Sequence, residues 1–187
     1  MSKIESVYDL EEDKSENGIQ FFFISKGEKG IIKAIQFSFV QELNGRKIYN
    51  LGFGDYDLEN DKIIDDIDTN NGDAYKVLNT VLSTIPIFFE NFGSEILMVQ
   101  GSDGRPEFVE HCKLNCKKKC GYECKNYNRR INIYRNYVDK NFDDLSVDYQ
   151  FLGGLKNEDH SIILESYIRY KEYESLFLFR KNHNFVI

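Results

Sequence analysis

Only two prolines occur in the 187 residues, which argues against a linker-rich or modular chain. No apolar run approaches the roughly 20 residues of a membrane span. The longest patches, such as IPIFF (85–89), are far shorter, so no membrane partner is expected. The opening residues lack a basic start followed by an apolar stretch, and no secretory signal is read there. Histidine is scarce: His111, His160 and His183 are scattered. None sits beside a Ser or Cys nucleophile with an orienting acid, so a catalytic triad is not supported. Positive charge is outweighed, with a net charge of −7, which works against general nucleic-acid binding by phosphate neutralisation. These absences predict a cytoplasmic protein, a compartment in which cysteines are usually reduced.

What is present suffices for a core: 41% of residues are apolar and 14% aromatic. At this length a single domain over 1–187 is expected. The acidic opening EEDKSEN (11–17) marks residues 1–17 as a flexible N-terminus. From Ile19 to Asp55 the pattern predicts three strands, IQFFFISK, IIKAIQFSFVQE and RKIYNLGFGD. GEKG makes the first turn and Asn44-Gly45 the second, since both of those residues tolerate positive φ. KIIDDID (62–68) reads equally as a short strand or an acidic loop. TNNGD (69–73) predicts a helix start capped by Asn70 or Asn71. Ala74, Val77, Leu78, Val81, Leu82, Ile85, Phe88 and Phe89 then follow the helical period, with Pro86 expected to kink or break the helix. EILMVQG (95–101) reads as a buried strand. PEFVEHCKLNCKKKC and RINIYRNYVDKNF predict two further helices, the latter with Ile131, Ile133, Tyr134, Tyr137 and Val138 as its apolar positions. VDYQFLGG, SIILESYIRY and ESLFLFRK supply the last strands. The order is β-β-β-α-β-α-β-β, an α+β domain with an antiparallel-dominated mixed sheet and helices packed on it.

The four cysteines, Cys112, Cys116, Cys120 and Cys124, fall at a fixed spacing of four. In one straight helix each such step advances about 6 Å and about 400°. Cys112 and Cys124 would then stand about 18 Å apart, too far to share one ion. A closed zinc site of four cysteines, or three with His111, therefore requires the chain to fold back near Gly121. Buried reduced thiols on a stripe with Phe108 are the competing expectation. Disulfides between neighbours in a helix are geometrically awkward. Asp55, Asp57, Asp61, Asp65, Asp66 and Asp68 cluster around two loops, as a solvated acidic run or as oxygen ligands for Mg²⁺ or Ca²⁺. GSDGR (101–105) lies between a strand and a helix, where Ser102 and Arg105 can hold an anion, or Arg105 can pair with a carboxylate.

The stretches ISKGEKGIIKAIQF, YNLGFGD, NNGDAYKVLNTV, GSDGR, NRRINIYRNYV and FLGG together resemble a bacterial family of unknown function, over roughly residues 18 to 181. Against that resemblance, residues 106–129 look like an inserted Cys- and Lys-rich segment. The strand and helix order is also similar to the core of the GNAT acyltransferases. That likeness implies acyl-CoA as cofactor, with its pyrophosphate on the backbone of Asn71, Gly72 and Ala74. It implies Tyr134 as the acid that protonates the leaving thiolate. In this sequence the turn carries one glycine and is followed by Asp73, which sets a carboxylate beside the phosphates. Two functions follow. One is a non-catalytic binding protein whose insert, with Lys117, Lys118, Lys119, Arg129 and Arg130, engages an acidic protein or nucleic acid. The other is a GNAT-like N-acyltransferase.

Overall fold

The structure is a computed structural model that describes residues 6–15, 18–64, 71–104, 106–115, 120–157 and 161–181. The chain is α+β, with a mixed, mostly antiparallel sheet and three α-helices among the described residues. It divides into two compact units, one of residues 1–97 with 182–187 and one of residues 98–181.

In the first unit the strands run β1 (Glu11–Ser15), β2 (Gly18–Lys26), β3 (Gly30–Leu43) and β4 (Arg46–Asp57), each antiparallel to the next. The three strands expected between Ile19 and Asp55 are present. Asn44 and Gly45 adopt φ of 51° and 78° at the tip of the second hairpin, the left-handed pair that a two-residue turn needs. One strand was not foreseen, and one was foreseen only as an alternative to a loop. Glu11–Ser15, inside the opening expected to be flexible, is β1, because each of its residues pairs with β2 from Gly18 to Phe22. That backbone ladder does not require apolar side chains. Lys62–Ile64 forms β5 against β4, which resolves the ambiguous KIIDDID towards strand for its first three residues. Among the described residues five strands thus precede the first helix, where three, or four with KIIDDID, were expected, a departure from the expected GNAT-like order.

Along β2 burial alternates, placing Ile19, Phe21, Phe23 and Ser25 inward. α1 (Ala74–Asn91) closes this face with Val77, Val81, Leu82, Phe88 and Phe89 buried, much of the predicted stripe. Phe88 is fully enclosed and stacks on Phe37 at 4.8 Å, with Phe89 edge-on at 5.0 Å. Each such ring contributes about 1.5–3 kcal/mol by leaving water. The helix continues through Pro86 instead of breaking. Its cap position is Asp73, not Asn70 or Asn71, for a reason given below. β6 (Ile96–Gln100) is buried along four of its five residues, as expected.

In the second unit a 3₁₀ turn (Ser102–Gly104) leads into α2 (Pro106–Asn115), and α3 (Arg129–Asp148) follows. β7 (Tyr149–Lys156) then lies between β8 (Ile162–Ser166) and β9 (Ser175–Arg180), antiparallel to both. α3 buries Ile131, Tyr134 and Val138, but exposes Ile133 and buries Asp139. It bends at Asn141, whose side-chain amide donates to the Tyr137 carbonyl at 2.8 Å and so intrudes on the helical ladder. Phe142, Phe151, Tyr167 and Tyr173 gather beside this bend. There the Asp139 carboxylate accepts from the Tyr167 hydroxyl at 2.8 Å and the Tyr170 amide at 3.1 Å.

Candidate functional site

The turn expected to cradle pyrophosphate is occupied by its own neighbours. Asn71, 5% exposed, donates through Nδ2 to Ser25 Oγ (2.8 Å) and the Lys29 carbonyl (2.9 Å). Its Oδ1 accepts from the Lys29 amide (2.8 Å), and its main-chain carbonyl accepts from the Glu28 amide (3.0 Å). Asn71 thus staples the β2–β3 turn instead of capping α1. Gly27 permits this approach, because a Cβ there would lie 1.7 Å from the Asn71 carbonyl oxygen. Gly72 sits at φ 79°, and Ala74 is the exposed first residue of α1.

Asp73 completes the cluster. Its Oδ2 accepts from Ser25 Oγ (2.6 Å) and from the Tyr8 hydroxyl (2.7 Å). Tyr8 in turn accepts from the Lys26 amide and donates its own amide to Thr80 Oγ1. Its ring stacks on Phe23 and carries Lys76 Nζ 4.0 Å above it. Burial raises the Asp73 carboxyl, but the Ser25 and Tyr8 hydroxyls outweigh it and hold the group below the usual carboxylate range. The carboxylate is therefore charged at neutral pH, next to the N–H groups that would have to hold phosphate. Other members of the acidic cluster are also engaged: Asp55 by Lys33, Asp61 by the Tyr56 hydroxyl, and Asp57 by the Glu59 and Asn60 amides. Asp65, Asp66 and Asp68 lie outside the described residues.

In the second unit the GSDGR turn and the start of α3 meet. Ser102 Oγ accepts from Arg130 Nη1 at 2.7 Å. The Asp103 carboxylate accepts from the Arg130 amide at 2.8 Å, and the Asp103 carbonyl from the Asn128 amide. Ser102 and Arg130 are therefore brought together, though as partners of each other. Asp103 is the residue that sequence patterning missed: it is 4% exposed, and its Oδ1 has no hydrogen-bond partner. Burial pushes its carboxyl up, against the lowering effect of the Arg130 amide and guanidinium. Its one signal in the sequence is its place between two glycines in a tight turn. Tyr134 is enclosed nearby, where burial pushes its phenol well above the ordinary value. A buried phenol of that kind is poorly placed to meet a leaving thiolate.

The cysteine segment does not form one straight helix. α2 ends at Asn115, and Cys120 to Asn128 run through turns. The chain returns far enough for Asn126 Nδ2 to reach Cys112 Sγ at 3.4 Å, while the Lys125 amide donates to Cys120 Sγ at 3.3 Å. Cys112, Cys120 and Cys124 are half-buried thiols, not disulfides. Among the described residues no group of three or more His, Cys, Asp or Glu is placed to hold a metal ion. Cys116, Lys117, Lys118 and Lys119 lie outside the described residues, as do Arg105, His160 and His183. The segment presents aromatic rings and charges of both signs to solvent, the acids being Glu107, Glu110 and Glu123. Tyr122 is fully exposed and Tyr127 is 47% exposed, and Lys113, Lys125 and Arg129 are exposed in the same segment.

Fold and site together define an α+β protein with a tightly hydrogen-bonded β-hairpin and helix unit. The chain belongs to a family of unknown function (DUF6934), whose model matches residues 5–107, just over half of the sequence. The match covers nearly all of the first unit and ends where α2 begins, so it stops short of residue 181, where the expected resemblance ended. No curated protein and no solved structure matches the chain. Among the described residues no helix is long and apolar enough to cross a membrane.

Proposed function

We propose that the chain is a non-catalytic binding protein whose segment 106–129 engages an acidic partner. The observation that carries this reading is the return of the chain after α2, marked by the Asn126–Cys112 contact. Tyr122 and Tyr127 are exposed in this segment, as are Lys113, Lys125 and Arg129. Cations attract phosphate or carboxylate, and exposed aromatic rings offer faces on which unpaired bases stack. Single-stranded nucleic acid therefore fits this surface better than an acidic protein does. The polar groups already described favour the same conclusion. Ser25 and Asp73 are bonded to each other, Ser102 is bonded to Arg130, and Tyr134 is enclosed. Acyl transfer is set aside because Asp73 puts a carboxylate where the pyrophosphate would lie.

Fluorescence anisotropy with labelled oligothymidylate and labelled polyglutamate tests the proposal. Oligothymidylate is expected to bind with an affinity that falls as salt rises. Tyr122→Ala combined with Arg129→Ala should weaken it at least about tenfold, since stacking one base is worth about 1–3 kcal/mol. Binding of polyglutamate alone would assign the surface to an acidic protein. No anisotropy change with either probe overturns the proposal.

A further inference from the structure

β1 and β8 each end a run of paired strands, one in each unit, and they meet solvent differently. β1 reads EEDKS, with four of its five residues charged, a pattern that discourages another strand from pairing beside it. β8 reads IILES. It is led by three aliphatic residues and contains no lysine, no proline and no register shift. Ile162 and Ile163 are 44% and 51% exposed. Its one charge, Glu165, is met within the chain by Lys171 and the Tyr173 hydroxyl.

The ladder with β7 shows which backbone groups of β8 are unspent. The Asn157 amide donates to the Ser161 carbonyl, and the Tyr167 amide to the Phe151 carbonyl. Both pairs continue the β7–β8 register, one at each end. Hydrogen-bonded and non-hydrogen-bonded pairs alternate along an antiparallel ladder. Ser161, Ile163, Glu165 and Tyr167 therefore turn their N–H and C=O towards β7. Ile162, Leu164 and Ser166 turn theirs outward, and among the described residues no strand receives them. Such a row of unpaired groups is a template for one more strand.

The outward residues are spaced evenly about Leu164, so the edge is complementary to itself. With a two-fold axis at Leu164, that residue meets its own copy and Ile162 meets Ser166. About six backbone hydrogen bonds then close across the junction. Glu165 of each copy falls opposite Ile163, so no like charges face each other. We infer that β8 pairs antiparallel with β8 of a second copy of this chain, in a closed two-fold dimer. The edge is separate from segment 106–129, and its pairing does not depend on what that segment binds. A strand of five residues makes a small junction, so the association is weak and follows concentration.

Sedimentation equilibrium of the full chain tests this from about 10 to 500 µM, with a reductant present to exclude disulfide-linked dimers. The average mass should rise from 22.0 kDa towards twice that value. Leu164→Lys sets two lysines opposite each other at the axis and should keep the chain monomeric. Leu164→Glu should do the same alone, whereas an equimolar mixture of the two variants should regain the dimer, because opposite charges then meet. Ser166→Pro deletes an outward N–H without removing a bond to β7, and it too should stay monomeric. It serves as the test should the variants at Leu164 fail to fold. A natural chain that stays monomeric at the highest concentration overturns the inference. So does a dimer that persists in any folded variant, or a mixture of the folded Leu164 variants that stays monomeric.

Discussion

Replacing Asp73 by alanine should lower the stability of the chain by about 3 kcal/mol, the scale of losing two hydrogen bonds to a charged acceptor in a partly buried site. Ser25 Oγ, fully enclosed, and the Tyr8 hydroxyl both donate to this one oxygen, at 2.6 and 2.7 Å. With alanine in place, each hydroxyl keeps the N–H that donates to it and loses the acceptor for its own proton. The segment carrying Tyr8, the β2–β3 turn and the start of α1 then lose their common partner. For a chain of this size the melting temperature should fall by about 6–12 °C. Asp73→Asn should cost less, because its amide oxygen can still accept while the charge is gone. The pH dependence has a definite sign. The folded state holds this carboxyl below its ordinary value, so its stabilisation is complete above the unfolded pKa of about 3.9. It fades as pH falls through the lower folded value. Thermal melts of the natural chain and of Asp73→Asn should therefore converge in acid and separate at neutral pH. A loss under 2 °C for Asp73→Ala, at about one-tenth of the unfolding free energy expected of a small domain, would show that Asp73 is a bystander.

Gly153→Ala should be comparably damaging, for a steric reason. A Cβ at this position in β7 would fall 2.0 Å from Tyr173 Cε1 and 2.3 Å from two further ring atoms. The Tyr173 ring cannot step aside. It is 2% exposed, packs against Tyr167 at 5.3 Å, donates its hydroxyl to Glu165 at 2.6 Å and accepts from the Ile168 amide. Burial and the Glu165 hydrogen bond push its phenol up to about 12, so it stays a donor at neutral pH. Overpacking on this scale costs about 3 kcal/mol. Urea denaturation should show a lower midpoint at unchanged slope, since the surface exposed on unfolding is the same. In a double-mutant cycle, adding Tyr173→Leu should make the alanine much less harmful, because the clash is gone. If the two substitutions add independently, the ring is not what Gly153 accommodates.

The sheet was legible because its signals are local. Alternation in IQFFFISK and IIKAIQFSFVQE, and the Asn44-Gly45 turn, fix strand and hairpin within a few residues. β1 was not legible, because EEDKS has neither the alternation nor the composition of a strand and is held by backbone pairing with β2. The stripe of α1 was readable from its period, whereas its cap was not. Nothing near Asn71 in sequence announces that its amide is spent on Lys29, some forty residues earlier. The same limit applies to the site. The spacing of the cysteines posed the right geometric question, and the end of α2 at Asn115 with the return of Asn126 to Cys112 supplied the answer. The orphaned oxygen of Asp103 has no counterpart in any pattern of residues, since it depends on what the fold fails to bring to it.

The central claim is that the chain binds through the segment that returns after α2. Hydrogen–deuterium exchange with and without saturating oligothymidylate tests it most directly, because it reports where the partner sits. The account predicts slowed exchange confined to residues 106–129, with β2, β3 and β4 unchanged. Binding accompanied by protection elsewhere, and none in that segment, would contradict it.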